Sequence, residues 1–206
     1  MTINKPLFIY LTSGFILFIV IGTLTHELGH YLVAKHLGYN AEINYANAYY
    51  STPNPNDTVG LSDSFFISLG GPLETILTGT IGLVLLYSFR KSFQAAPRLS
   101  FGQWTLIFIS LLWLRQPINF VLWMGGYLFN GQFSDRSDEI QIARHLQFPD
   151  WTITSLTAIM GAIVLAIIVF KFIPKPQRLT FITSGLVGGV SGYFLWLHWL
   201  GQKIMP

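Results

Sequence analysis

The chain has 206 residues, of which 51% are hydrophobic, 16% aromatic and only 10% charged, with a formal charge of +3 and a mean hydropathy of +0.50. A soluble domain carries about 25% charged residues, so the composition excludes an ordinary soluble domain and predicts an integral membrane protein of one domain, residues 1–206. Cysteine is absent, which excludes disulfides and thiolate ligands, and the scattered basic residues with no aromatic–basic motif give no reason to expect a nucleic-acid partner.

The first apolar run begins at Leu7 and continues as helix to about Lys35, with Gly38 as its C-cap. It has no small-residue cleavage site, so it reads as a retained transmembrane helix rather than a signal peptide. Near its end stands Thr25-His26-Glu27-Leu28-Gly29-His30. Residues four apart share a helical face, so His26 and His30 can offer two imidazole nitrogens to one Zn²⁺. Glu27 lies about 100° round the helix. It reaches beside the metal, where it can take a proton from a water on that metal. The bland alternative is a packing or hydrogen-bonding role. Ionisable groups inside an apolar span are costly and usually functional, which favours the metal.

Tyr39 to Leu61 is polar, tyrosine-rich and interrupted by Pro53 and Pro55. Ile43, Tyr45 and Tyr49 share one face of an extended chain, so a short strand or hairpin fits, as does a surface loop. The second span covers about Ser64 to Phe89 and is interrupted by Gly70-Gly71-Pro72. Arg90 to Ser100 is a basic connector. The third span covers about Trp104 to Trp123 and contains Arg115, Gln116 and Asn119. A buried arginine needs a partner, and Glu74 at similar depth in the second span is the expected one.

The connector Gly125 to Asp150 holds a short helix. Ser137 is its N-cap, acids fill its first turn, and it ends near Gln147 before Pro149. The fourth and fifth spans cover about Trp151 to Phe172 and Leu179 to Leu200, joined by a turn containing Pro and Lys. Trp104, Trp123, Trp151, Trp196 and Trp199 stand at span ends, where an interfacial belt is expected. The fold class is therefore an all-α membrane protein of about five transmembrane helices, with a short strand or hairpin between the first two and a short helix between the third and fourth.

Seven basic residues (Lys5, Arg90, Lys91, Arg98, Lys171, Lys175, Arg178) fall on the N-terminal face of this topology, and four on the other. The positive-inside rule then puts the N-terminus in the cytoplasm. All nine acids, including Glu27, lie towards the opposite face, which also holds His26, His30, Gly70-Gly71-Pro72 and the connector acids.

With these stretches converging, the chain resembles the site-2 protease family of intramembrane zinc metalloproteases. The resemblance rests on His26-Glu27-Leu28-Gly29-His30, on Gly70-Gly71-Pro72-Leu73 and on a late aspartate after the third span. It covers roughly residues 7 to 147 and leaves 151–200 as additional helices. It implies a zinc-dependent metalloendopeptidase that cleaves a peptide bond in or next to a membrane-embedded segment. Its partners would be a membrane-protein or peptide substrate and the lipid bilayer. Gly70, Gly71, Pro72 and Asn119 would then help to position the substrate.

The chain departs from the family pattern in two places. Neither Asp135 nor Asp138 precedes a glycine, and Thr75 stands where the family usually has asparagine. For the third ligand the candidates are Asp135, Asp138, Glu139 and His145. Asp138 is preferred, because backbone N–H groups at a helix start favour the ionised carboxylate that zinc requires. A non-proteolytic membrane protein with a structural zinc site is the alternative, and Glu27 discriminates the two.

Overall fold

The computed structural model describes residues 2–54, 56–133 and 137–206. Helix α1 (Lys5–His36) starts where the Asn4 side chain accepts the Leu7 N–H and ends before Gly38, whose φ of +89° suits glycine. Strands β1 (Asn40–Ile43) and β2 (Ala48–Ser51) form an antiparallel hairpin, with Ile43 opposite Ala48 and Glu42 opposite Tyr49. Helix α2 (Leu61–Ser88) follows, then a short α3 (Arg90–Ala95).

The third span is built in two pieces. Helix α4 (Phe101–Ser110) passes through a 3₁₀ turn, Leu111–Leu114, into α5 (Arg115–Asn130). Helix α6 (Asp138–His145) begins where Ser137 accepts the Ile140 N–H, so the cap read from sequence is present. Helix α7 (Trp151–Ile167) ends in a π-helical turn, Ile168–Phe172. Helix α8 (Lys175–Tyr193) runs through a π segment, Phe194–Leu200, into α9 (Gly201–Ile204).

Among the described residues, five helical stretches are long and apolar enough to cross a membrane: Lys5–His36, Leu61–Ser88, Phe101–Asn130, Trp151–Phe172 and Lys175–Ile204. The chain is thus a multi-pass helical membrane protein. Helix α1 packs against both α2 and α8, and α2 against α4 and α6. An apolar core around Leu11, Phe15, Leu86, Trp104, Ile107 and Phe181 lies towards the N-terminal ends of α1 and α8, away from the histidines.

Two expectations are corrected. The break at Gly70-Gly71-Pro72 does not occur, since α2 continues through Pro72. Proline removes one N–H, so the Ser68 carbonyl four residues earlier loses its usual helical donor, a loss that membrane helices tolerate. The tryptophan belt is also only partial. Trp151 and Trp199 are exposed, whereas Trp104, Trp123 and Trp196 are buried. Trp104 stacks on Phe181 at 5.9 Å, and Trp196 donates its indole N–H to the Tyr45 carbonyl at 2.9 Å. That bond, with Tyr45 N–H donating to Met205 O at 3.1 Å, ties the hairpin tip to the end of the last span.

Candidate metal centre

His26 and His30 stand one turn apart on α1 and face inward, 1% and 7% exposed. Asp138 arrives at the first residue of α6, which α2 holds in place through Ser68 Oγ donating to Gln141 Oε1 at 3.0 Å. Three atoms converge. His26 Nε2 lies 3.0 Å from Asp138 Oδ2 and 3.1 Å from His30 Nε2, and His30 Nε2 lies 3.3 Å from the same Oδ2. The structure thus brings together the three ligands expected from sequence.

These distances fit a metal. A tetrahedral Zn²⁺ with bonds of about 2.0–2.2 Å has ligands about 3.3–3.5 Å apart, close to the three separations here. The donor set of two imidazoles and a carboxylate suits zinc and leaves one position open. The tautomer of His30 also fits. Its Nδ1 lies 2.6 Å from the Ile67 carbonyl, so Nδ1 carries the proton and donates it. The Nε2 lone pair then faces the cluster, as such outer hydrogen bonds arrange for metal-bound histidines. Burial pushes the Asp138 pKa up, but its close contacts with the two imidazoles outweigh this and hold it well below the usual carboxylate range, which favours the ionised form a metal requires.

Close packing of α1 on α2 builds the site. Gly29 faces Gly70 so closely that a Cβ at Gly29 would overlap the Gly70 carbonyl, and one at Gly70 would stand 2.6 Å from the Gly29 carbonyl oxygen. A Cβ on Gly71 would collide with His30 Nε2 and lie 2.6 Å from His26 Nε2. Gly71 therefore acts on the ligands directly, and Gly29 and Gly70 act through the approach of the two helices. Gly71→Ala is expected to lower zinc affinity by about 10–100-fold, the range for disturbing groups that support metal ligands. Gly102→Ala, with nothing within 4 Å of its added Cβ, is the control. Zinc titration of both variants checks this, and equal affinities would refute it.

Glu27 is 7% exposed and lines a cavity of about 620 Å³ together with His30, Asp138, Arg115 and Asn119. Its Oε2 accepts the Ala48 N–H at 2.8 Å, and its Oε1 lies 3.8 Å from Arg115 Nη2. Arg115 therefore pairs with Glu27, not with Glu74 as expected. Glu74 Oε1 instead accepts from Thr78 Oγ1 at 3.0 Å on its own helix. Arg115 is turned towards α1 rather than towards Glu74 on α2.

Asn119 lies one turn beyond Arg115 and donates to Glu139 Oε1 at 3.2 Å. Glu139 is 1% exposed, and burial, then the neighbouring Asp138, raises its pKa. His145 sits apart from the cluster, its ring nitrogens 2.9 and 3.0 Å from the carbonyls of Gln141 and Leu61. Asp135 lies outside the described residues. Sequence reading missed the Ala48 N–H, the Ile67 carbonyl and the Glu27–Arg115 contact. Only for the last was there a signal, since both charges lie in apolar spans.

No family model, curated protein or solved structure matches the chain.

Proposed function

We propose that the protein is an intramembrane zinc metalloprotease, similar to the site-2 protease family. It would hydrolyse a peptide bond in or next to a membrane-embedded substrate segment. The observation that carries this reading is Glu27. A structural metal site has no use for a carboxylate next to a ligand on the chain, off the ligand face and open to the same cavity as His30 and Asp138.

His26, His30 and Asp138 would hold the metal. Bound Zn²⁺ supplies Lewis acidity and lowers the pKa of water towards about 7. Glu27 takes the proton of the attacking water on a carboxylate oxygen and passes it to the leaving nitrogen. His30 stays oriented through its bond to Ile67 O. A helical substrate has its carbonyls occupied, so the reacting stretch must be extended. The hairpin offers a template for it. Ala48 pairs with Ile43, and its N–H points away from β1 to Glu27, so that edge of β2 borders the cavity and an extended substrate would lie alongside it, past the Ala48–Glu27 bond. Gly70 and Gly71 keep α2 close behind the ligands, Pro72 follows them on the same helix, and Asn119 lines the substrate side. The basic excess on the N-terminal face favours a cytoplasmic N-terminus, with the site on the opposite side.

Metal removal tests the reading. In lipid nanodiscs, chelation of the purified protein is expected to abolish cleavage of an apolar peptide, and added Zn²⁺ to restore it. Cleavage that persists in metal-free protein would overturn the proposal.

A further inference from the structure

A second cavity adjoins the metal cavity. Its volume is about 270 Å³, and Phe18, Ile19, Leu112, Ile118 and Leu197 give it an apolar lining. The two cavities share Ala46, Arg115, Asn119, Leu122 and Tyr193, so they meet at one wall. Nothing in the chemistry of the metal ligands requires this apolar space.

Its size and position identify what fits. Pockets for whole small molecules run to about 300–1,000 Å³, so this one suits a single large side chain. Gly22 lies in its wall, one turn before His26 on the same face of α1. Four residues of helix rise about 6 Å, while neighbouring Cα atoms in an extended chain are about 3.8 Å apart. A residue flanking a bond held over His26 and His30 can therefore reach the pocket with its side chain. Glycine keeps the space open, since a Cβ at Gly22 would touch only Leu112 Cδ2, at 3.4 Å. The junction is polar where a substrate backbone would cross it. Arg115 Nε is buried without a hydrogen-bond partner among the described residues, and Arg115 and Asn119 both face the two cavities.

We infer that this pocket between α1, α5 and the end of α8 is a side-chain subsite that takes one bulky aliphatic or aromatic residue flanking the scissile bond, with Arg115 and Asn119 bonding to the substrate backbone at its mouth. The inference rests on the proteolytic reading and adds the substrate class: peptides with leucine, phenylalanine or a similar residue beside the cleaved bond.

The test uses the zinc-loaded 206-residue chain in nanodiscs and capped alanine-rich peptides, each position carrying Leu, Phe or Trp in turn. Wild type should prefer Leu or Phe to Ala at one flanking position by at least about tenfold in kcat/KM, the scale on which apolar pockets discriminate. Gly22→Leu fills the pocket and should lower that ratio about tenfold. Leu112→Ala enlarges it from the other wall and should shift preference towards Trp, which keeps the test open if Gly22→Leu does not fold. Ratios unchanged in both variants would overturn the subsite.

Binding of the same labelled peptides to Glu27→Gln protein separates the two readings. A preference for bulky residues in binding that Gly22→Leu removes, with no cleavage by wild type, keeps the subsite and overturns proteolysis. Cleavage without side-chain preference does the reverse. Neither binding nor cleavage overturns both. Loss of a co-purified lipid from Gly22→Leu with unchanged peptide preference would assign the pocket to an acyl chain and overturn the inference.

Discussion

Glu27→Gln is expected to retain zinc and lose peptide cleavage by about 10²–10⁴-fold or more, the usual contribution of a positioned general base. The substitution changes little else. Glutamine has the same shape, and its amide oxygen can still accept the Ala48 N–H that Glu27 Oε2 accepts now. The ligands His26, His30 and Asp138 are untouched. What is lost is the ability to take a proton at that position, together with the charge facing Arg115. Metal content measured beside cleavage of an apolar peptide decides the matter. A zinc-loaded Glu27→Gln protein with wild-type activity would leave a structural metal site as the better reading.

Asp138→Ala should have the next largest effect, on metal affinity. The Asp138 carboxylate is one of three converging donors and approaches both histidines. Its loss should cost more than the about 10–100-fold typical of disturbing an outer partner. Asp135→Ala should change affinity little. Zinc titration of both variants checks the ranking, and the reverse order would move the third ligand to Asp135.

The pH dependence follows from the same site. The Asp138 pKa is depressed, so its ionised form contributes fully above the ordinary carboxylate value of about 3.9 and is lost only as pH falls through the lower folded value. Protonation of Asp138 should therefore not be the event that first releases zinc as pH falls. Zinc retention measured from neutral pH downward checks this, and a release midpoint at the ordinary aspartate value that is lost in Asp138→Asn would contradict it.

The helix start at Asp138 was legible because capping is local. Ser137 with two acids behind it specifies a first turn whatever the rest of the chain does. The His26–His30 pair was legible for the same reason, since four residues of helix fix their common face. The hairpin was legible only as one option, because its strands are four residues each and their alternation is weak. The Glu74–Arg115 pairing failed because position along a span does not specify which way a side chain faces.

The sequence by itself therefore determined the five spans, the placement of the His-Glu-x-x-His motif at the end of the first, the capped connector helix and the three side chains that converge as candidate ligands. All of these depend on composition over about 20 residues or on spacing within one or two turns. Only the tertiary structure decided that α2 runs unbroken through Pro72, that Gly71 backs the histidines, that Ala48 and Arg115 hold Glu27, and that an apolar pocket adjoins the metal cavity. These features depend on how each helix is rotated about its axis. A membrane helix that is apolar nearly all round carries no stripe to encode that rotation. Close approach of small residues and interhelical polar contacts set it instead. The Gly29–Gly70 contact does so here, and it becomes visible only when α1 and α2 are packed together.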